Sequence, residues 1–262
     1  MIQLDDAVSA FVAARATRPH WPGVPIALRP TTIAEGYRLQ RAIHTRLGAQ
    51  GIQRVGYKVG STSPANQRPW GLHEPVYAGI FTDTRTDGLA AALARPLLHP
   101  SLECEVAFQL GHDIDGADPA LATATIIDAI AACHIACEII DGRYHAPMDI
   151  GVPTLLADDF FHAGFVLGAA HPGWRALPYG TLEGAIEIDG ARTSGNAADT
   201  LDALTAMLWL ARKLAESGTR LRAGEIVLTG SFTKPVPIVL PARLVTLTIT
   251  GFEPLALSPR QA

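Results

Sequence analysis

Two glutamates, Glu103 and Glu105, stand one residue apart in PSLECEVAFQL (100–110), among Leu102, Val106, Ala107 and Phe108. In a strand, residues i and i+2 share a face, roughly 6.5–7 Å apart along the chain. Two carboxylates that close in apolar surroundings each resist ionisation, so a counter-charge or a wet face must accompany them. Glu138, in ACEIID, has similar apolar neighbours. Three carboxylates on apolar strands suit a hard divalent cation. Mg²⁺ or Mn²⁺ would neutralise them, accept oxygen ligands and keep coordination positions for water and substrate. The spacing alone leaves open a second reading, the solvated face of an edge strand.

Lys58 lies between Tyr57 and Val59 in VGYKVG, and only Lys58, Lys213 and Lys234 occur beside 18 arginines. A buried ammonium must be paired, and burial can bring its pKa into a useful acid–base range, which arginine cannot reach. A salt-bridged or snorkelling lysine is the alternative. The strand GEIVLTGS ends in Thr229-Gly230-Ser231, where glycine permits close backbone approach and the hydroxyls or amides could meet an anion. His20, His73, His145 and His162 lie in or near loops and strand starts, and each is a candidate general base. The sequence holds no G-x-S-x-G elbow, P-loop or GxGxxG, which argues against the usual serine hydrolase, kinase or Rossmann enzyme.

The elements that must position these groups are mostly strands. Residues 4–15 read as an amphipathic helix, and Thr32 to Glu35 resembles a capping box opening a second one with Ile33, Tyr37 and Ile43 on one face. Strands are expected near 55–63, 101–110, 134–141, 160–168, 184–194, 224–231 and 242–252, the fifth carrying an Asp189-Gly190 hairpin turn. Helices are expected over about 119–132 and 199–216. The pattern lacks a βαβ rhythm and implies an α+β fold. A helical N-terminal region, residues 1–75 with Lys58, would pack on a β-rich mixed-sheet body, residues 76–262. At 262 residues and 48% apolar content a sizeable core is expected, and a net charge of −4 with mixed signs excludes an electrostatic case for nucleic acid or anionic membrane. The apolar run 123–140 is broken by Asp128, His134 and Glu138, so no membrane span is expected. Acids rather than bases mark the N-terminus, and three cysteines, Cys104, Cys133 and Cys137, make no disulfide framework. A reduced, cytoplasmic setting is expected, with the thiols buried.

Five segments in order, GYKVGSTSPANQ, GLHEP, SLECEVAFQL, CEIIDGRY and GEIVLTGSFTKPVP, resemble the fumarylacetoacetate hydrolase superfamily. The branch they resemble is that of 2-oxopent-4-enoate hydratases and 4-oxalocrotonate decarboxylases, from about residue 25 to the C-terminus. The resemblance implies Mg²⁺ (or Mn²⁺) on Glu103, Glu105 and Glu138, chelated by a 2-oxo acid, with Lys58 as the family's catalytic lysine. It also implies a substrate-facing turn at Thr229, Gly230 and Ser231. The implied chemistry runs through a metal-stabilised enolate in the catabolism of aromatic-ring cleavage products, most simply hydration. Decarboxylation and acylpyruvate-type C–C hydrolysis share that enolate, and a catalytically weak binding or structural partner is a third reading. A homo-oligomer, and association with a related enzyme of the pathway, are implied by analogy. Two departures stand out. The family's aspartate falls on Val76, with His73 and Glu74 near enough in sequence to substitute. Its DNASS segment falls on Asp158 to His162, so that Phe160, Phe161 and Trp70 are expected to make the distal pocket more apolar.

Overall fold

The computed structural model describes residues 3–16, 23–144, 146–239 and 242–259. Two helices open the chain, α1 (Leu4–Ala16) and α2 (Ile33–Ala49). The Thr32 side chain caps α2 by accepting the Glu35 N–H, while the Glu35 carboxylate turns to the Thr31 N–H and hydroxyl. The capping box is thus half made: its reciprocal arm reaches one residue further back. Phe11 of α1 and Leu39, Ile43 and Leu47 of α2 share a cluster with Phe81 and Ala157, which fastens the helices to the body.

The body is built on β1 (Arg54–Gly60), β2 (Val76–Phe81), β3 (Pro100–Leu110), β4 (Ile130–Asp141) and β5 (His162–Ala170). It continues through β6 (Glu183–Ile188), β7 (Ala191–Asn196), β8 (Ile226–Ser231), β9 (Val236–Pro237), β10 (Val245–Ile249) and β11 (Leu255–Leu257). The larger sheet runs β2-β1-β8-β3-β4-β5, with β9 added to β3, and the smaller runs β11-β10-β6-β7. β1 and β8 pair in parallel, whereas β3 pairs antiparallel with both β8 and β4, so the sheet is mixed. The architecture is α+β. Asp189 and Gly190 both take positive φ (47° and 91°), the backbone a two-residue hairpin turn needs between β6 and β7. The three cysteines are buried and free. Among the described residues no helix is long and apolar enough to cross a membrane.

Of the boundaries that differ from the pattern-based expectation, three do so for a clear tertiary reason. The helix expected over 119–132 is confined to Thr123–Ala129, because Ile130 already pairs with Leu110 and begins a 12-residue strand. The late helix begins at Ala203, where the Asp202 carboxylate caps the Leu204 and Thr205 amides. The strand expected from 160 begins at His162, because Asp159, Phe160 and Phe161 are in the left-handed region.

Gly56 lets β1 lie against β8. It adopts φ +154°, and a Cβ there would stand 1.8 Å from the Ile226 carbonyl oxygen. Gly56→Ala is expected to destabilise the fold by about 2–4 kcal/mol, or to abolish soluble expression, through strand displacement. Urea unfolding followed by circular dichroism measures the loss.

Candidate metal centre

The register of β3 against β4 places Glu103 directly opposite Glu138, and Cys104 opposite Cys137. Side chains alternate across a strand, so Glu103, Glu105 and Glu138 share one face and the thiols occupy the other. One carboxylate oxygen from each glutamate lies within 4.8 Å of the other two. Glu105 and Glu138 are 1% and 0% exposed, and Glu103 is half-buried. Lys58 reaches the same face from β1, 3% exposed, with Nζ 3.2 Å from Glu138 Oε1. The pairings of β1 with β8 and of β8 with β3 bring it there, across more than forty residues of sequence.

Supporting contacts orient two of the three carboxylates, Glu105 and Glu138. Gly230, at φ +106°, donates its N–H to Glu105 Oε2 at 2.8 Å, and its missing Cβ leaves room for Thr62. His162 sets Nδ1 2.8 Å from Glu138 Oε1 and Nε2 3.0 Å from the Thr84 hydroxyl. Burial pushes the imidazole below its ordinary pKa against the pull of Glu138, so it is neutral and Nδ1–H is the donor to the carboxylate. His162 therefore holds Glu138 in place and has no free ring nitrogen.

Burial raises the Glu103 carboxyl to about 7, helped by Glu138 and opposed by Lys58, and raises Glu105 well above the usual range, with Glu138 and Glu103 adding. At Glu138 burial acts upward, but Lys58 and His162 hold its carboxyl below the usual value. Burial alone would lower Lys58, but Glu138, Glu103 and Glu105 keep it above its ordinary pKa. With all three carboxylates ionised and one ammonium, the cluster carries a net charge of −2. Glu138 Oε2 is buried without a hydrogen-bond partner. Three converging oxygen donors, a −2 surplus and an orphaned carboxylate oxygen fit a hard divalent cation.

The cleft beside this cluster is lined by Lys58 and Glu103 and by Trp70, Phe160, Phe161 and Ile140. Asp159 (φ 55°), Phe160 (42°) and Phe161 (68°) form one left-handed turn, which costs of order 1–3 kcal/mol per residue unless surrounding contacts dictate it. They do so here. The Asp159 carboxylate accepts the Gly79 N–H and contacts His44 Nε2, each at 2.8 Å, and pairs with Arg15 of α1. Burial acts upward on that carboxyl, but His44 and Arg15 hold it well below the usual range. Asp158 is clamped by Arg143 at 2.7 Å and accepts the Tyr144 hydroxyl at 2.7 Å. The adjacent acids in ADDFFHAGF hint at such anchoring, but their partners lie up to 144 residues away in sequence.

The other residues singled out in the sequence take different places. The Thr229 hydroxyl is buried and donates to the Val106 carbonyl, and the Ser231 hydroxyl accepts the Cys104 and Thr233 amides. Of that turn, the Gly230 amide is what touches the acidic cluster. Val76 is buried in β2 against Gly60. Glu74 is exposed and bridges Lys213 at 2.8 Å, and His73 is exposed; neither lines the cleft. His20 and His145 lie outside the described residues. Ile140 and Pro235 line the cleft without having been anticipated, and nothing in their local sequence marks them.

No protein-family model matches the chain. It is 34% identical over 230 residues to the TodF product hydratase of Pseudomonas putida, an alignment covering 85% of this chain and 84% of the relative. It is 32% identical over 242 residues to 2-keto-4-pentenoate hydratase of Burkholderia vietnamiensis, covering 89% and 91%. Among solved structures, 4-oxalocrotonate decarboxylase from Pseudomonas putida G7, complexed with magnesium and adipate, shares the fold with a TM-score of 0.82 at 24% identity over 98% of both chains.

Two outcomes are expected from this geometry. Glu103 and Glu105 keep their protons in the folded state at pH values where the unfolded chain has released them, so the metal-free fold binds more protons and loses stability as pH rises from about 4.5 through about 7. Glu138, with its lowered value, changes charge below that window. A divalent cation replaces those protons, so the thermal shift produced by Mg²⁺ relative to chelator is expected to grow between about pH 5 and about pH 8. A shift that shrinks over that range contradicts the assignment. Separately, His162→Gln is expected to weaken Mg²⁺ or Mn²⁺ binding about 10–100-fold by calorimetry, because Glu138 loses its orienting donor.

Proposed function

The chain belongs to the branch of the fumarylacetoacetate hydrolase superfamily that holds 2-keto-4-pentenoate hydratases and 4-oxalocrotonate decarboxylases, and on that footing we propose a divalent-metal-dependent lyase acting on a 2-oxo or 2-hydroxydienoic acid, most simply a hydratase. The observation that carries the reading is the Glu138 carboxylate. One of its oxygens is held by Lys58 and His162, and the other is buried and unpartnered beside Glu103 and Glu105. Mg²⁺ or Mn²⁺ bound by these three residues would polarise the 2-oxo group as a Lewis acid and offset negative charge developing on its oxygen.

The chain's own groups supply the rest. Lys58, kept protonated by its three carboxylate neighbours, is placed to hold the substrate carboxylate or to deliver a proton to the dienol. In hydration the dienol gains a proton at its distal carbon and loses the one on its 2-oxygen. Water then places a hydroxyl on C4 and a proton on C3. The polar groups lining the cleft are Lys58, Glu103, Ser61 and Asn66. Among the described residues no carboxylate besides Glu103 is there to orient a water, and this favours decarboxylation, which needs no attacking water, as the second reading of the same site; C–C hydrolysis shares the enolate but needs such a water.

A panel of 2-hydroxydienoates, 4-oxalocrotonate and acylpyruvates, supplied with Mg²⁺ or Mn²⁺, separates these reactions by product. A 4-hydroxy-2-oxo acid is expected. Released CO₂ marks the decarboxylase, two shorter acids mark the hydrolase, and absence of metal-dependent turnover on every compound refutes the proposal. Lys58→Met is expected to lower kcat at least about 100-fold while metal binding persists, the usual contribution of a positioned proton donor. Full turnover in that variant removes Lys58 from the chemistry.

A further inference from the structure

The cleft has a cavity volume of about 280 Å³, small for a ligand site, and its wall is chemically divided. Lys58 and Glu103 make the charged part. Much of the remainder is the rings of Trp70, Phe160 and Phe161 with Ile140 and Pro235. The rings form a triangle: Trp70 to Phe160 is 5.9 Å between centroids, Trp70 to Phe161 5.8 Å and Phe160 to Phe161 5.2 Å. The apolar wall starts at the charged part, since Lys58 Nζ lies 5.7 Å from the Phe160 ring centre. The turn carrying Phe160 and Phe161 is locked by the Asp158 and Asp159 networks, so these rings are placed in advance of any ligand.

Among the described residues the lining of the cleft supplies a single cation, Lys58, and that ammonium already faces three carboxylates. Arg68 and Lys234 adjoin lining residues in sequence, but neither lines the cavity. Asn66 and Ser61 could hydrogen-bond a hydroxyl or carbonyl, yet neither neutralises a charge. An ionised group at the far end of a substrate anchored beside Lys58 would therefore lose its water against ring faces that carry negative charge density. An alkyl, vinyl or aryl group in that place gains apolar burial and edge or stacked ring contacts.

Resting on the function proposed above, we infer that this site takes 2-oxo or 2-hydroxydienoic monoacids with an apolar distal end and rejects the same acids bearing a second, terminal carboxylate. Trp70, Phe160 and Phe161 are the residues that set this specificity. The wall thereby separates substrates that the acidic cluster, which sees only the 2-oxo acid end, treats alike.

The test uses 2-oxohexanoate and 2-oxoadipate, which share one carbon skeleton and differ at the terminal carboxylate. Each is titrated into the full-length Mg²⁺-loaded protein by calorimetry and by tryptophan fluorescence. 2-Oxohexanoate is expected to bind about 100-fold or more tightly, as an uncompensated buried carboxylate requires. Its fluorescence response is expected to be lost in Trp70→Phe. Pro235→Arg, at an exposed wall position, and Phe161→Arg are each expected to narrow the ratio about tenfold by supplying a counter-charge. Equal affinities, a preference for 2-oxoadipate, or a ratio unmoved by both arginine variants overturns the specificity inference and leaves the 2-oxo acid reading standing. Failure of both acids to bind in a Mg²⁺-dependent manner overturns both readings.

Discussion

Mutual repulsion among three carboxylates in a largely dry setting is the constraint on which the rest of the site depends. Two unit charges within 4.8 Å of each other repel by at least about 3.5 kcal/mol at an effective dielectric of about 20. Three such pairs meet one ammonium, so the folded state carries the cluster at a cost. The sheet bears that cost because its strands are held elsewhere: β3 and β4 pair along their full length, and Leu102, Val106 and Phe108 are completely buried. The destabilising face is thus narrow and the supporting face wide. This is the arrangement expected where binding of an ion, rather than folding alone, completes the charge balance.

The groups around the cluster divide the labour. Lys58 offsets part of the cluster's negative charge. His162 and the Gly230 amide move no charge; they set the direction of Glu138 and Glu105. His162 is the clearest case of a residue whose type suggests one role and whose surroundings impose another. Its ring has the chemistry of a general base, but both nitrogens are engaged, and burial holds it neutral. Behind it, the Thr84 hydroxyl donates to His162 Nε2 and accepts the Phe81 N–H, which ties the relay to the end of β2.

The left-handed turn at 159–161 links the helical N-terminal segment to the cleft. Arg15 of α1 and His44 of α2 both terminate on Asp159. These helices therefore do more than cover a sheet: they hold the backbone conformation that aims Phe160 and Phe161. Ion pairs this buried contribute little to net stability after desolvation, but removing one partner strands a charge. Their value here is positional.

Much of the site's chemistry was legible in the residues. Period-2 spacing placed Glu103 and Glu105 on one face, and their apolar company announced an unusual demand for counter-charge. Helical periodicity and capping gave α1 and α2, and Asp189-Gly190 gave the hairpin, because those signals act over a few residues. Register, partners and the fate of individual side chains were decided only in three dimensions. Nothing local states that Glu103 faces Glu138, that Lys58 arrives through β8, or that Glu74 turns to Lys213 at the surface. The end of the helix at Ala129 was settled by a pairing with β3, and the start of β5 by a turn anchored through Arg15 and His44. Short-range preferences are weak beside the burial and pairing energies of long-range contacts, and those contacts are set by the whole chain. The sequence by itself determined which groups could bind and move charge; tertiary structure decided which of them meet.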